Sequence, residues 1–378
     1  MKQWFINKDE GAVLVESTSV REEGQVKLKL SKVAVSSQDM SNFATLPKTN
    51  AVTPGHSAVA FVSEADEDSG LKLGARVVIS PYVKVQEHGE DVVKTMGVDI
   101  DGLLCDFVCV PFENVFALPD GVSDEEALFA EYIAMGDNVF EALDLEKGDY
   151  IVVLGASTLG LIIAQIASYY QFVPILIDLD SEKLALAQKW GVCYTLNPTY
   201  DNLERRVEEI TGGRMSEAAV FAGESVDINS AIRLVKNEGD VIIAGYATRA
   251  KHAIDAYPIL KKQLKIKGVS SGEGCMSSAI NLLANKVVKT DGIIGAAANF
   301  EEVPSVVENC VKYPYQYSKI VVNMDCRTRF ALRFCFAATL HIYCALRRKI
   351  KERKGCRLCR QTVQERIESL FCAKKYFW

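Results

Sequence analysis

The chain has 378 residues, of which 49% are hydrophobic and 24% are charged, and these values exclude an intrinsically disordered chain. Its 11 cysteines are too sparse for a disulfide scaffold, and its length exceeds the size at which one hydrophobic core keeps growing, so we expect two domains. The first residues, MKQWFINKDEG, lack the apolar segment of a secretory signal. We therefore expect a cytoplasmic protein with reduced thiols.

The formal net charge of −6 is unevenly distributed along the chain. Residues 1–325 contain 29 basic and 46 acidic residues, whereas residues 326–378 contain 14 basic and 3 acidic residues and six of the 11 cysteines. Such a difference between two parts of a chain is typical of a separate tail. We expect this basic, cysteine-rich tail, residues 326–378, to lie outside the fold.

The first part of the chain has the pattern of antiparallel strands. Short alternating or apolar runs, such as QVKLKLSKVAV and HSAVAFV, are separated by Gly, Asn and Pro between residues 13 and 62. Residues 71–82 and 103–111 continue the pattern, and LPDGVSDEEA then opens a helical region. We therefore expect this part to be rich in β-structure.

Beyond Gly148 the pattern changes to alternating strands and helices. The predicted strands are 151–154, 175–178, 194–196, 219–222, 241–245 and 264–269, and the predicted helices between them are 158–170, 181–190, 202–211 and 226–237. Such alternation builds a parallel sheet with helices on both faces. After Met276, a helix and an acidic amphipathic segment lead to a last strand at 319–322, where the chain returns to the first domain.

Residues 149–191 predict a dinucleotide-binding turn, because strand, glycine turn, helix, strand and acid follow in that order. The turn reads G-A-S-T-L-G, with serine at the middle glycine position; its first glycine permits the tight turn and its last lets the helix pack closely on the sheet. The acid is placed to accept from both ribose hydroxyls and would repel a 2′-phosphate, which favours NAD(H) over NADP(H). The predicted cofactor-binding residues are Gly155, Ser157, Thr158, Leu159, Gly160 and Asp178.

Several further segments resemble the medium-chain dehydrogenase/reductase superfamily of zinc-type alcohol, sorbitol and threonine dehydrogenases. They are PGHSAVAFV, GARVVI, LPDGVSDEEALFAEYIAMGDNVFEAL, GDYIVVLGASTLGL, DVIIAG and KIVV. The resemblance runs to about residue 325 and implies an α/β fold with a GroES-like β-rich catalytic domain and a doubly wound Rossmann domain. We expect the catalytic domain at 1–134 and 273–325, and the NAD-binding domain at 135–272.

The resemblance also implies where the catalytic centre lies, and its first motif departs from the family pattern. Zinc-dependent members have C-G-(S/T)-D there, and this chain has Ser36, Ser37, Gln38 and Asp39. Serine thus stands where the family has a thiolate ligand, and Gln38 where it has the hydroxyl that relays the substrate proton. Asp39 matches the family's aspartate, which orients the metal-bound histidine.

In the second motif His56 matches the family's histidine, Ser57 replaces its glutamate, and Glu131 matches a later acidic position. A catalytic zinc usually has three protein ligands, and a serine hydroxyl binds zinc poorly at neutral pH. Only His56 and Glu131 then remain as metal ligands, so we expect no stable zinc. The alternative for His56 is a hydrogen bond to Asp39 that braces the cleft. The family's structural zinc site is also missing, since residues 80–106 contain one cysteine, Cys105.

These observations favour an NAD(H)-dependent oxidoreductase that acts on a small alcohol or carbonyl compound without the usual zinc. The catalytic candidates are His56, Ser36, Asp39 and Glu131, with Ser57 and Tyr132 as further hydrogen-bond donors. One alternative is a reductase of an activated C=C bond or quinone, and another is a nucleotide-binding relative that has lost catalysis. We expect a homodimer or homotetramer with a small-molecule substrate and no nucleic-acid or membrane partner.

Three interpretations of the tail stay open. Cys356 and Cys359, with His341 and Cys344, have a weak metal-binding spacing, and residues 330–346 followed by RRKIKERK resemble a short membrane anchor. The third, which we favour, is that residues 326–378 are not selected protein sequence, for example because of a shifted reading frame.

Overall fold

The computed structural model describes residues 1–18, 20–223, 225–245, 252–314 and 316–324, and Met1–Met324 form one compact unit. The three interpretations of residues 326–378 lie outside the described residues. The side chain of Gln38 lies outside them as well. No helix in the described part of the chain is long and apolar enough to cross a membrane.

The first half of the chain is rich in strands, as predicted. Its elements are β1 (Lys2–Asn7), β2 (Gly11–Glu16), β3 (Gln25–Val35), α1 (Ser37–Thr45), β4 (Ser57–Glu64), β5 (Arg76–Ile79), β6 (Tyr82–Glu87), β7 (Glu90–Thr95), β8 (Phe107–Pro111), β9 (Val115–Ala117), α2 (Asp124–Ala127) and α3 (Ala130–Glu141).

The second half alternates strands and helices before it returns to the first sheet. Its elements are β10 (Tyr150–Leu154), α4 (Thr158–Tyr169), β11 (Val173–Ile177), α5 (Ser181–Lys189), β12 (Tyr194–Leu196), α6 (Leu203–Thr211), β13 (Ser216–Phe221), α7 (Ile228–Leu234), β14 (Val235–Ala244), α8 (Ala256–Lys262), β15 (Lys265–Val269), α9 (Met276–Ala284), β16 (Ile294–Asn299), α10 (Val303–Lys312) and β17 (Lys319–Asn323).

A seven-stranded sheet joins strands of the first half of the chain, from β3 onward, to the last two strands, while β1 and β2 form a separate two-stranded sheet. The order of the seven-stranded sheet is β16-β17-β3-β4-β5-β9, with β8 also paired to β3, and the last strand, β17, pairs antiparallel with β3. The chain therefore returns to its first sheet, as the sequence predicted. The domain bounds themselves stay a prediction, and the one at 134/135 falls inside helix α3.

The second sheet is the predicted parallel sheet, with order β12-β11-β10-β13-β14-β15. Its central strands are buried on both faces because helices cover them. Helix α4 shows the effect most clearly, since ten of its twelve residues are buried. The order reverses between β10 and β13, which is where such sheets bind ligands, beyond the carboxyl ends of their strands.

A continuous apolar core connects the two sheets through helix α3. The core cluster contains Val59 and Val78 from the first sheet, Ile133 from α3, and Ile151 and Ile162 from the second sheet and its helix. All five side chains are at most 1% exposed. Helix α3 is thus fixed between the two sheets, and it carries Glu131 into the interior.

Two expectations about the elements need correction. The helix predicted at 226–237 ends at Leu234, because Val235 pairs with Ser216 as the first residue of β14. The strand predicted at 103–111 begins only at Phe107. The hairpin formed by β6 and β7 was not predicted, although it occupies the region compared with the family's structural zinc loop.

Candidate functional site

Two glycines determine the shape of the turn between β10 and α4. Gly155 has φ +96°, and a Cβ there would lie 2.6 Å from the Cα of Gly223. A Cβ on Gly160 would lie 1.9 Å from the carbonyl oxygen of Gly155. Both distances are shorter than any stable contact, so only glycine fits either position. The turn therefore brings the first residues of α4 against the end of the strand, as the motif requires.

Ser157, at the position of the motif's middle glycine, caps helix α4. Its hydroxyl oxygen accepts from the Gly160 N–H at 3.2 Å, and the hydroxyl donates to the carbonyl of Ala222 at 2.6 Å. The amide N–H groups of Thr158 and Leu159 have no hydrogen-bond partner among the residues that the structure describes. Two donors at the positive end of the helix dipole thus remain open to an anion.

Asp178 directly follows β11 and contacts the same turn. Its Oδ2 accepts from the backbone N–H of Ala156 and, at 2.7 Å, from the hydroxyl of Ser225, while its Oδ1 accepts from the N–H of Asp180 at 2.8 Å. The residue is only 3% exposed. The carboxylate therefore braces the glycine turn, a role that the sequence did not predict. Its predicted contact with ribose stays a prediction, and Oδ1 has one lone pair left to accept it.

A second cluster of polar side chains lies in the interior, around Glu131. The Oε1 atom of Glu131 lies 3.5 Å from Nε2 of His56 and 3.3 Å from Nζ of Lys319, which donates a hydrogen bond to it. The three residues are 1%, 2% and 2% exposed, respectively. They come from α3, from the residue before β4, and from the first position of β17. We refer to them as the buried charge cluster.

Aromatic rings enclose the amine of the buried charge cluster. Nζ of Lys319 lies 4.4 Å from the ring centre of Tyr132 and 4.8 Å from that of Phe129, within the range of cation–π contacts. The Tyr132 ring also makes an edge contact with His56, at 5.9 Å between ring centres. Burial lowers the pKa of the Lys319 amine, and the adjacent Glu131 carboxylate opposes this by favouring the ammonium form. Burial also raises the pKa of the Tyr132 hydroxyl, so this group stays protonated and able to donate.

The remaining predicted residues have other partners. Ser36 caps helix α1, where its oxygen accepts from the Asp39 N–H at 2.9 Å and the Asp39 carboxylate accepts from the Ser36 N–H at 3.3 Å. Ser57 donates its hydroxyl proton to the carbonyl of Leu128 at 2.5 Å. Ser57 is therefore not a donor to a substrate, contrary to our expectation. The effect of Asp39 on His56 stays a prediction.

The donor atoms do not suit a catalytic zinc. His56 and Glu131 are close enough to share one ion, but a serine that caps a helix is a poor third ligand, and an amine already contacts the carboxylate oxygen that would bind the metal. No group of three or more His, Cys, Asp or Glu side chains in the described ranges is arranged to hold a metal ion.

Two family models match the chain. The model described as the alcohol dehydrogenase GroES-like domain matches residues 22–120, and the one described as zinc-binding dehydrogenase matches residues 158–285. An uncharacterised zinc-type alcohol dehydrogenase-like protein of Haemophilus influenzae is 27% identical over 278 residues, which cover 70% of this chain and 81% of the relative.

Solved structures agree in fold. An Escherichia coli alcohol dehydrogenase in complex with NADH has a TM-score of 0.74 at 20% identity, covering 85% of this chain and 99% of its own. A Sinorhizobium meliloti dehydrogenase bound to NADP has a TM-score of 0.72 at 21% identity, covering 85% and 98%. The two family models, which together match residues 22–120 and 158–285, show that the chain belongs to the medium-chain dehydrogenase/reductase superfamily, a class of oxidoreductases.

Sequence reasoning missed two residues of these sites. Lys319 opens the apolar strand KIVVN, and a single charged residue at the start of a buried strand was the available signal. Ser225 follows the strand next to β10, in a loop with no motif of its own.

Proposed function

We propose that the chain is an NAD(H)-dependent oxidoreductase that acts on a small alcohol or carbonyl compound without the usual catalytic zinc. The observation that carries this proposal is the glycine turn, where the open N–H groups of Thr158 and Leu159 lie beside an acid at the end of the next strand. A diphosphate needs such donors, and a ribose needs such an acceptor. A bound nicotinamide nucleotide supplies the hydride.

Asp178 supports NAD(H) over NADP(H). A carboxylate that accepts from the ribose hydroxyls would repel a phosphate at the same place. The related folds were solved with either nucleotide, so the preference of this chain rests on Asp178. Because its Oδ2 already accepts two hydrogen bonds, we propose that a ribose hydroxyl uses the open lone pair of Oδ1 or takes the place of the Ser225 hydroxyl.

The group that would polarise a substrate carbonyl must come from protein donors. Ser57 donates to a backbone carbonyl, so we take His56, Ser36 and the Tyr132 hydroxyl as the candidate donors. Preorganised donors of this kind stabilise a developing oxyanion. The same donors would serve reduction of an activated C=C bond or quinone, which is the second candidate reaction.

Loss of catalysis is the candidate from another class of protein. Its support is the burial of His56 and Glu131 together with the replaced residues at Ser36 and Ser57. A panel of carbonyl, alcohol, enone and quinone compounds separates the candidates. Hydride transfer to one class identifies the reaction, and NADH binding with no transfer to any of them would favour the inactive relative.

The cofactor proposal is tested by titration of NADH and NADPH into the chain and its Asp178→Asn variant. Hydrogen bonds to charged groups contribute about 1.5–3 kcal/mol, so we expect NADH affinity to fall about tenfold or more. NADPH affinity should hold or improve, because the repulsion is gone. A purely structural role of Asp178 in the turn would instead weaken both nucleotides equally. If neither nucleotide binds the unaltered chain, the proposed function is wrong.

A further inference from the structure

We propose that the amine of Lys319 takes the place of a catalytic metal ion, so that this centre is built around an internal cation and excludes zinc. The proposal rests on the proposed function and deepens it, because it names the group that makes a metal-free centre possible. The geometry comes from the buried charge cluster.

All groups of the buried charge cluster surround the same point. Lys319 and His56 both approach Oε1 of Glu131, at 3.3 and 3.5 Å, and both contact the ring of Tyr132. An ion shared by His56 and Glu131 would have to lie about 2 Å from each donor atom. Such an ion would therefore enter the space beside the Lys319 amine.

Charge balance also disfavours a zinc ion beside Glu131. Glu131 is 1% exposed, and a buried carboxylate is stable only beside a positive partner. Lys319 provides that partner with one unit of charge. A zinc ion would add two further positive charges next to the ammonium, with the carboxylates of Glu131 and the nearby Asp39 to balance all three, so one positive charge would stay uncompensated unless the amine leaves or loses its proton.

The two serines that replace family ligands form hydrogen bonds elsewhere. Ser36 holds the first turn of α1 through its oxygen, and Ser57 is hydrogen-bonded to Leu128. The centre thus has an imidazole and a carboxylate as metal donors, and an amine fixed between ring faces where the cation would be. Lys319 is a positioning residue in this proposal, since it sets the orientation of Glu131 and, through Glu131, of His56.

The test uses zinc ions alone with the full chain. Because the tail contains six cysteines and thiolates are general metal ligands, zinc at the centre is measured as the difference between the chain and its Glu131→Gln variant. After chelator extraction and zinc reloading, elemental analysis should give no difference between the two. One more zinc ion per chain in the unaltered protein than in Glu131→Gln would overturn the proposal.

The decisive variant is Lys319→His, which replaces the amine by a third ligand directed at the same point. We expect it to gain about one zinc ion per chain over Glu131→Gln, in a site with two imidazoles and one carboxylate. The matched control is Lys84→His, since Lys84 forms an exposed ion pair with Glu273 and should gain none. Folding is verified by circular dichroism, and Lys319→Met serves if Lys319→His does not fold.

Lys319→Met removes the charge without adding a ligand, and we expect weak zinc binding by His56 and Glu131 that the unaltered chain lacks. If a folded variant of Lys319 binds no more zinc than the unaltered chain, the amine is not what excludes the metal, and the proposal fails. NADH titration of the same samples is independent of this result. Normal NADH binding with zinc at the centre would reject this inference alone, whereas loss of NADH binding by the unaltered chain would reject the proposed function.

Discussion

At the scale of single residues, removal of the buried contact between Lys319 and Glu131 should cost much more than removal of an exposed ion pair. Both side chains are nearly inaccessible to water, so taking away the amine leaves a buried carboxylate without a partner. Breaking such a pair costs about 3–5 kcal/mol, whereas an exposed pair contributes little. The cost follows from the charge left behind more than from the attraction lost.

We therefore expect Lys319→Met to lower the free energy of unfolding by about 3–5 kcal/mol, as measured by urea denaturation. The double variant Lys319→Met/Glu131→Gln should recover part of the loss, because no charge remains uncompensated. Lys84→Met, which breaks the exposed pair with Glu273, is the control and should leave stability unchanged. Equal effects of the buried and exposed substitutions would contradict this account.

At the scale of elements, the glycine turn could be predicted from a local pattern, whereas the buried charge cluster was predicted only in part, since the resemblance gave His56 and Glu131 but not Lys319. Strand β10, the glycine turn and helix α4 are consecutive in the chain, so a local sequence pattern predicts them. The buried charge cluster is assembled from α3, β17 and the segment before β4, and its closest contact joins residues 188 positions apart. A single sequence contains no local signal for a contact between residues so far apart in the chain. The predicted end of the helix at residue 237 was wrong for a related reason, because the pairing of Val235 with Ser216 ends the helix at Leu234.

Strand β15 is an edge of the six-stranded sheet in the described part of the chain, and apolar side chains are exposed beside it. Ile266 on the strand is 39% exposed, and Tyr257 and Leu260 on the preceding helix α8 are 69% and 77% exposed. An unpaired strand edge and exposed apolar side chains on the preceding helix are each suited to contact with a second copy of the chain. We propose this surface as a contact between copies in the expected homodimer or homotetramer.

Leu260→Glu should then shift the protein toward monomer in light scattering after size-exclusion chromatography, because it places a charge in the apolar contact. Leu73→Glu is the control, since Leu73 is 61% exposed and lies shortly before strand β5, outside the proposed contact. An unaltered oligomer in Leu260→Glu, or a monomeric starting protein, would refute the assignment.

At the scale of the whole molecule, Met1–Met324 form a compact unit that includes the closing strand β17. Deletion of residues 326–378 should therefore leave the thermal midpoint and the NADH affinity unchanged, as measured by differential scanning fluorimetry and titration. Deletion from residue 319 onward is the contrasting variant, since it also removes β17 and should prevent folding. If the shorter deletion abolishes folding or NADH binding, the tail is part of the functional protein.

Because Lys319 lies in the closing strand, it is synthesised late. Glu131 is translated 188 residues before the amine that neutralises it. A nascent chain emerging from the ribosome therefore contains an acidic group destined for the interior before its Lys319 partner has been made, so this region can reach its final form only when nearly all of the described chain has left the exit tunnel. Premature termination anywhere before that strand yields a product that quality-control proteases should recognise as incomplete.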